Sequence, residues 1–456
     1  MQTKNLPQND SLPGSFRDPS GIVLKKGGII YREIYPSYQD NYNLLTNSGL
    51  YKALIKENLL IPHEEVNTKL IKPVIIPFIS YPYEWSFSQL KHAALVTLQI
   101  QKRALKFGMS LKDTSTYNIQ FLKGKPILID TLSFKKYEEK QPWTAYQQFC
   151  QHFLAPLALM CHKDLRLNQL LRIYIDGIPL DLASSLLPSS TYLNFPLLTH
   201  IHLHARSQKR YLNKGKYLKI KNLRVNKLSM LGLIDSLESA IKSLNYKLRG
   251  SQWGDYYSDT NYSEAAFKHK KQIVEKFLKK IKPKMVWDFG ANTGVFSRIA
   301  SDMKVQTLSF DSDPEAVEKN YLNCLKDREA NILPLVLDLT NPSPALGWEN
   351  KERESLGQRG PADTVLALAL IHHLAIANNL PLSRIAEFFR NTCGSLIIEF
   401  IPKTDSNVRK MLELRKDIFT EYKEEIFVKE FKKLFIIKQT EKIIDSDRTL
   451  FLMQRK

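Results

Sequence analysis

The stretch Val286-Trp-Asp-Phe-Gly-Ala-Asn-Thr-Gly-Val-Phe-Ser297 decides the fold of the C-terminal half of this chain. An apolar run ends at Asp288, and two glycines follow before a helical pattern begins. Glycine lets the backbone approach a ligand closely and take conformations that other residues avoid, while a carboxylate at a strand tip accepts hydrogen bonds. The stretch therefore predicts a strand, a turn and a helix N-terminus around a small-molecule site that contains Asp288, Gly290, Asn292 and Gly294.

Further apolar runs continue this pattern towards the C-terminus. Four runs alternate with helical stretches at positions 305–311, 332–337, 363–374 and 395–400, and an antiparallel pair is predicted at 434–438 and 448–453. Continuous apolar strands that alternate with helices indicate a parallel sheet covered on both faces. Ligands bind such sheets at the carboxyl ends of the strands, and the polar residues at those ends are Asp288, Asp311, Asp338, His372 and His373.

The order of these elements resembles class I S-adenosylmethionine (SAM) methyltransferases. The turn reads Gly-x-x-x-Gly, so it differs from the Gly-x-Gly-x-x-Gly turn of dinucleotide-binding proteins and lacks the Lys of a phosphate loop. The resemblance implies a Rossmann-like, seven-stranded α/β domain that binds SAM, with Asp338 near the adenine. The acidic residue that ends the second strand of such a sheet bonds ribose hydroxyls, which indicates Asp311, or Asp313 as a near alternative. A doubly wound domain for another nucleotide stays open.

A second set of motifs is more specific. It comprises Asn-Pro-Ser-Pro-Ala-Leu-Gly-Trp at 341–348, Glu352-Arg353, the run that ends at His373, and Ser-Phe-Arg-Asp-Pro-Ser-Gly at 15–21. Together these motifs resemble a group of bacterial methyltransferase-like proteins that includes the nodulation protein NoeA, and the resemblance covers most of the chain. Because the acceptor of that group is poorly defined, the resemblance implies methyl transfer without naming a substrate.

Candidate catalytic residues follow the fourth and fifth strands. Methyl transfer from SAM is an in-line displacement at an activated sulfonium, so much of the catalysis is positioning of the acceptor. A base is needed only when the acceptor must lose a proton. His372 and His373 are candidates because imidazole titrates near neutral pH, and Glu399 is another. The alternative is that one His caps the strand and the other packs inside.

Aromatic residues precede the first helix of this half, at Trp253, Tyr256, Tyr257 and Tyr262. Aromatic faces attract a sulfonium cation, so Tyr262 is a candidate contact to SAM, and ordinary packing of the helix on the sheet is the alternative. The chain has no Asn-Pro-Pro-Tyr-type motif and no paired-Cys arrangement for C5 methylation of pyrimidines. Both absences disfavour a nucleic-acid base as the acceptor.

Spacing in the N-terminal half predicts a second site. Asp113, then Asn118, a short hairpin and a strand-terminal Asp130 have the layout of a protein-kinase-like catalytic centre. In that layout Asp113 orients an acceptor hydroxyl, while Asn118 and Asp130 hold Mg²⁺ on ATP phosphates, because hard cations take oxygen ligands. The motif departs from kinases, since Leu111 replaces the usual His, no Phe-Gly follows the last Asp and no clear Gly-rich phosphate loop is present. A turn whose Asp and Asn cap local backbone is the alternative.

The elements expected around this second site follow a kinase-like order. A hairpin is predicted at 21–34, a helix at 38–60, a buried strand at 74–78, and a helix at 86–107 that begins with a Ser-x-x-Gln capping box. This order resembles the small lobe of a protein kinase or aminoglycoside phosphotransferase, so an α+β kinase-like domain is expected. Arg32 or a nearby Lys is the candidate anchor for a nucleotide.

Length and composition limit these interpretations. The 456 residues suffice for two or three domains, and the predicted division is a kinase-like domain at 1–204, a basic helical linker at 205–250 and a methyltransferase domain at 251–456. Four separate cysteines without a Cys-x-x-Cys pair disfavour a zinc site or disulfides and favour a reducing cytoplasm. Neither a signal peptide nor a membrane span is expected.

Charge adds a further alternative. The formal net charge is +20, and positions 206–227 contain nine Lys or Arg residues without an acid. Such a stretch binds nucleic acid, an anionic glycan or an acidic membrane surface, or is a solvated helical face. We expect a SAM-dependent methyltransferase for a hydroxyl or amine of a small molecule, glycan or glycolipid that the N-terminal domain recognises. The alternatives are a bifunctional kinase–methyltransferase that uses ATP and Mg²⁺, and an RNA methyltransferase that docks through 206–227.

Overall fold

The chain forms two units. The computed structural model describes residues 11–213, 225–248, 262–413 and 417–456, so Trp253, Tyr256 and Tyr257 lie outside the described residues. The first unit comprises Met1–Lys247 together with Ala345–Arg353, and the second comprises Leu248–Pro344 together with Glu354–Lys456. A short segment from the C-terminal half is therefore part of the first unit.

The first unit begins with a four-stranded antiparallel sheet of order β1-β2-β4-β3. The strands are β1 (Gly21–Lys26), β2 (Ile29–Ile34), β3 (His63–Asn67) and β4 (Leu70–Pro73). The hairpin predicted at 21–34 is confirmed, because Lys26 pairs with Ile29 across Gly27 and Gly28, whose φ angles are +55° and +80°. Glycine tolerates such angles without strain.

Two helices connect this hairpin to β3, namely α1 (Gln39–Asn47) and α2 (Leu50–Lys56). The single helix predicted at 38–60 is wrong. Gly49 takes a φ of +86° between the two helices, a left-handed conformation that ends a helix.

The segment after β4 corrects a second prediction. A buried strand was expected at 74–78, but the structure has no strand there, and Val74 and Ile75 are exposed. The apolar run follows Pro73 and contains Pro77. Because proline has no N–H to donate to a sheet ladder, Pro77 inside the run disfavours a strand there.

Helix α3 (Phe87–Lys106) confirms the helix predicted at 86–107. The Gln89 N–H donates to Ser86 Oγ at 3.4 Å, and the Ser86 N–H donates to Gln89 Oε1 at 2.8 Å, so both bonds of the capping box are present. Two short antiparallel pairs follow α3. They join β5 (Met109–Leu111) to β8 (Phe134–Lys136) and β6 (Ile119–Leu122) to β7 (Lys125–Leu128).

The part of the first unit described between residues 146 and 243 is mainly helical. Its helices are α4 (Tyr146–Phe149), α5 (Ala155–His162), α6 (Leu170–Ile173), α7 (Leu180–Leu186), α8 (Phe195–Leu197), α9 (His204–Asn213) and α10 (Lys227–Ser243). Residues 155–160 of α5 are all buried, as expected of a helix that is apolar on every side. Positions 214–224 of the basic stretch lie outside the described residues.

The second unit contains a seven-stranded sheet of order β11-β10-β9-β12-β13-β15-β14. The strands are β9 (Met285–Phe289), β10 (Gln306–Asp311), β11 (Ile332–Val336), β12 (Ala362–Ala367), β13 (Cys393–Phe400), β14 (Phe435–Lys442) and β15 (Thr449–Arg455). Strands β9 to β13 pair in parallel, and β15 pairs antiparallel with both β13 and β14. This is the Rossmann-like sheet with a terminal antiparallel pair that the sequence predicted. The strand order reverses between β9 and β12, and such a reversal opens a crevice at the carboxyl ends of the strands.

Six helices accompany this sheet in the described part of the second unit. They are α11 (Glu264–Ile281), α12 (Val295–Asp302), α13 (Pro314–Asp327), α14 (Leu382–Thr392), α15 (Ser406–Glu413) and α16 (Glu424–Leu434). Helix α11 buries Ile273, Val274 and Phe277 in a core that also contains Val286 of β9. Among the helices that the structure describes, none is long and apolar enough to cross a membrane.

Candidate functional site

The turn between β9 and α12 adopts the conformation that its glycines predict. Gly290 and Gly294 have φ angles of +71° and +79°. A Cβ on Gly294 would lie 2.5 Å from Asn320 Oδ1, whereas a Cβ on Gly290 would meet Leu370 at 3.4 Å. A side chain at Gly294 would be strained by the positive φ and would crowd Asn320, whereas Gly290 lines a cavity.

A cavity of about 240 Å³ lies at the carboxyl ends of β9, β10 and β12. Of the predicted SAM-binding residues, those that line it are Asp288, Gly290, Asn292, Asp311 and Tyr262. The sequence reasoning missed several further lining residues, including Phe267, Lys270, Phe296, Ala369 and Leu370. The cavity therefore combines carboxylates, one ammonium and aromatic walls.

The two carboxylates of the cavity are protonated more readily than ordinary Asp side chains. Burial raises the pKa of Asp288 to about 7 and the nearby Asp311 adds to the rise, although the Ser297 hydroxyl donates to Asp288 at 2.6 Å. Burial likewise raises the pKa of Asp311 to about 6, against bonds from the N–H groups of Asp313 and Asn292 at 2.9 and 2.7 Å. A ligand that brings positive charge or hydrogen-bond donors would favour the ionised forms of both.

Three predicted SAM-binding residues have local roles and do not line the cavity. Gly294 begins α12. Asp313 caps α13 by accepting a bond from the Glu315 N–H at 2.9 Å. Asp338 accepts bonds from the N–H and the hydroxyl of Thr340 at 2.8 and 2.7 Å, so its contact with adenine stays a prediction.

The two candidate histidines differ in their access to the cavity. His373 lines it and His372 does not, although their ring centroids are 4.2 Å apart. Burial lowers the pKa of His373 to about 4, and burial together with His373 holds the pKa of His372 well below its usual value. Both rings are therefore neutral at neutral pH, and His373 is the one that can accept a hydrogen bond from a group in the cavity.

Glu399, the third catalytic candidate, is buried at the end of β13 and bonded through both oxygens. Its Oε2 accepts bonds from Lys270 Nζ and the Ala369 N–H, each at 2.7 Å, and its Oε1 accepts the Tyr262 hydroxyl. Burial would raise the pKa of Glu399, but Lys270 and Arg448 outweigh it and hold the pKa below the ordinary value. Such a carboxylate is a weak base, so the geometry gives Glu399 a positioning role.

Glu399 positions two residues that line the cavity. Ala369 has a φ of +50°, a left-handed conformation that costs about 1 kcal/mol for a residue with a side chain, and its N–H is held by Glu399. Tyr262 is held through its hydroxyl, and the Arg448 guanidinium lies 4.3 Å from its ring centroid. The network therefore fixes the loop after β12 and the aromatic residue before α11.

The predicted kinase-like residues lie around the β6–β7 hairpin of the first unit. The side-chain amide of Asn118 donates to Ser133 at 3.4 Å, and Ser133 donates to Asp130 at 2.6 Å, so the structure joins Asn118 and Asp130 through one hydroxyl. Asp113 bonds elsewhere, accepting from Gln148 at 2.8 Å. Among the described residues there is no group of three or more His, Cys, Asp or Glu that could hold a metal.

Arg32 of β2 connects this region to a residue that the sequence reasoning did not select. Its guanidinium forms ion pairs with Asp130, at 3.3 Å, and with Asp18, and Arg32 is buried. The role of Arg32 as a nucleotide anchor stays a prediction, and Asp18 was missed. Asp18 belongs to the Ser-Phe-Arg-Asp-Pro-Ser-Gly motif at 15–21, which was the available signal.

The segment Ala345–Arg353 adds two side chains to the first unit. Glu352 forms an ion pair with Arg17 at 2.7 Å. The Arg353 guanidinium lies 4.3 Å from the ring centroid of Tyr117, the residue before Asn118. The Glu352-Arg353 motif is thus anchored beside the kinase-like residues.

Comparison with known proteins gives one relative along almost the whole chain. Nodulation protein NoeA of Rhizobium meliloti (strain 1021) is 33% identical over 465 residues, which cover 98% of this chain and 97% of that protein. No protein-family profile matches the chain.

Solved structures match less than half of the chain. Magnesium protoporphyrin IX methyltransferase from Synechocystis PCC 6803, with bound SAH, is 16% identical with a TM-score of 0.32, over 45% of this chain and 92% of that one. N-methyltransferase NodS from Bradyrhizobium japonicum WM9 is 11% identical with a TM-score of 0.30, and the match covers 42% of this chain and 98% of NodS.

Proposed function

This chain belongs to the family of the nodulation protein NoeA, and we propose that its second unit is a SAM-dependent methyltransferase. Its acceptor is a hydroxyl or amine of a small molecule, glycan or glycolipid, and the first unit recognises that acceptor. The fold of the second unit and the chemistry of its cavity support the proposal.

The observation that carries the proposal is the pair of carboxylates at neighbouring strand tips. Asp288 and Asp311 have raised pKa values of about 7 and 6, so a ligand with positive charge and hydroxyl donors would compensate them. SAM has an ammonium, a sulfonium and two ribose hydroxyls. Tyr262 and Phe296 line the same cavity, and aromatic faces attract cations such as a sulfonium.

The side chains of the cavity would position the two substrates, and one of them, His373, is a hydrogen-bond acceptor. When bound, SAM supplies a methyl group attached to a sulfonium, and after the transfer the sulfur is a neutral thioether. Asp288 and Asp311 would hold the cofactor, and Leu370 adds an apolar side chain to the cavity wall beside Gly290. Neutral His373 can accept a hydrogen bond from the acceptor and so orient its lone pair. With a pKa of about 4, His373 suits an acceptor that loses its proton during the transfer rather than before it.

Isothermal titration calorimetry with SAM tests this assignment. Gly290→Arg should abolish binding, because the new side chain would enter the cavity. Gly108→Arg is the matched control, since Gly108 has a similar φ of +73° and a Cβ there meets nothing within 4 Å. Failure of the wild type to bind SAM, or binding by Gly290→Arg with wild-type affinity, contradicts the proposal.

A second candidate function is phosphoryl transfer in the first unit, which would make the protein bifunctional. The ion pair between Arg32 and Asp130, at 3.3 Å, and the link from Asp130 to Asn118 through Ser133 favour it. Mg²⁺ at Asn118 and Asp130 would have to displace Arg32 or Ser133 from the carboxylate. A thermal shift with ATP that requires Mg²⁺ would support this function, since a ligand of the folded state raises the melting temperature.

A further inference from the structure

The charges at the strand tips of the second unit follow a fixed order. Asp311 ends β10, Asp288 lies in β9 next to it, and beyond β12 the tip of β13 carries Glu399 bonded to Lys270. Among the described residues that line the cavity, the cation on the β13 side is Lys270, and the carboxylates are on the β9 and β10 side. The cavity therefore has carboxyl groups towards one end and an ammonium towards the other.

Lys270 has hydrogen-bonding capacity that its protein partners do not use. Its Nζ donates to Glu399 at 2.7 Å and to the Tyr262 hydroxyl at 3.2 Å. An ammonium has three N–H groups, so one donor remains beyond these two bonds to described residues. The same Nζ lies 4.9 and 4.8 Å from the ring centroids of Tyr262 and Phe296, which also line the cavity. The ammonium is thus at the cavity wall.

Glu399 alone does not explain a lysine at this position. Its carboxylate already receives the Tyr262 hydroxyl and the Ala369 N–H, and the Arg448 guanidinium is 3.7 Å away. A cation at a cavity wall with an unused donor fits an anionic group of a ligand, because charge-assisted hydrogen bonds are the strong ones.

SAM contains a single anionic group, the α-carboxylate of its methionine portion, at the end opposite the adenosine. Resting on the proposed function, we propose that Lys270 binds this carboxylate. The ribose hydroxyls then lie towards Asp311, the cationic groups towards Asp288, and the carboxylate at Lys270. The order of groups along the ligand matches the order of charges across β10, β9 and β13.

The pairing between Lys270 and the carboxylate of SAM is tested by removing each group in turn, the carboxylate from the ligand and the ammonium from the protein. The affinities of SAM and of decarboxylated SAM, which lacks only the carboxylate, are measured by calorimetry for the wild type and for Lys270→Met. The wild type should prefer SAM by about 10- to 100-fold, the range of a charge-assisted bond. Lys270→Met should lose that preference, with little change for the decarboxylated ligand. Lys268→Met, an exposed lysine of the same helix, should keep it.

A second variant covers the case in which Lys270→Met leaves Glu399 uncompensated and fails to fold. The double variant Lys270→Met with Glu399→Gln removes both charges of the pair and should also lose the preference for the carboxylate, whereas Glu399→Gln alone should keep it. Equal weakening of both ligands by Lys270→Met would show that Lys270 only supports the cavity and would overturn the inference while the methyltransferase assignment stands. Absence of SAM binding by the wild type would overturn both.

Discussion

Replacement of Asp288 by Asn should stabilise the protein and weaken SAM binding at the same time. Asp288 is buried, and burial raises its pKa from 3.8 to about 7, so its ionised form is less favourable in the folded than in the unfolded chain. Asn has similar volume and an oxygen that can accept the Ser297 hydroxyl, which donates to Asp288 at 2.6 Å. It has no charge to bury and none to offer a cationic ligand.

The increase in stability that Asp288→Asn brings depends on pH, because only the wild type titrates at this position. The folded protein keeps a proton on Asp288 up to about pH 7, whereas the unfolded chain releases it near pH 3.8. The free energy of unfolding of the wild type therefore falls as pH rises through this window. A rise of about 3 pKa units corresponds to about 4 kcal/mol in total. About half of that, roughly 2 kcal/mol, is lost between about pH 5.5 and pH 8.

Urea unfolding of both proteins at these two pH values measures the effect. A chain with two units need not unfold in one step, so the relevant transition is the one that added SAM moves to higher urea in the wild type. Asp302→Asn, which changes an exposed carboxylate of the same unit, is the control. Calorimetry on the same samples should show SAM affinity reduced by at least about 10-fold in Asp288→Asn, as expected from the loss of a charge-assisted bond.

The reasoning is refuted if the stability difference between Asp288→Asn and the wild type does not grow with pH. It is equally refuted if the variant is the less stable protein at about pH 8. In either case Asp288 would be an ordinary ionised residue, and its place in a cation-binding site would lose its main support.

Three further predictions concern the two candidate sites. At about pH 6.5, SAM binding should release up to about one proton, because the ligand favours ionised Asp288 and Asp311, whose pKa values are about 7 and 6. Calorimetry in buffers of different ionisation enthalpy measures the number of protons released, and a value of zero would contradict the prediction. His373→Ala should lower methyl transfer by about 10²-fold at unchanged SAM affinity, and in the wild type protonation of His373 should depress the rate only near its pKa of about 4. Asp130→Asn should abolish any Mg²⁺-dependent ATP turnover and leave SAM affinity unchanged, and turnover equal to that of the wild type would rule out the kinase-like assignment.

The sequence predicted the sheet of the second unit well because its signal is local. Its parallel strands contain short apolar runs, and the turn at 286–297 has its glycines where positive φ angles are needed. Periodicity failed where a single residue decides the outcome. Gly49 divides the stretch at 38–60 into two helices, and Pro77 disfavours a strand in the apolar run at 74–78.

Lys270 shows why part of the site was missed. Helix α11 contains many lysines, and most of them are solvated, so composition does not distinguish the buried one. The signal was its spacing, since Lys270 lies four residues after Ala266 and four before Val274, on the stripe that the helix buries. Its partner Glu399 comes from β13, far along the chain. Only the folded sheet brings the two together, and a single sequence does not report that pairing.

The position of Ala345–Arg353 in the first unit has a practical consequence for dissecting the protein. A fragment that ends near residue 250 would lack Glu352 and Arg353. Arg17 would then lose its ion pair with Glu352, and the ring of Tyr117 would lose its contact with the Arg353 guanidinium. The complementary C-terminal fragment would carry the same segment without its partners. One cut therefore produces two incomplete halves, and a phosphoryl-transfer assay on the N-terminal half alone could report a false negative. The two proposed activities are better tested separately by point substitution in the intact chain.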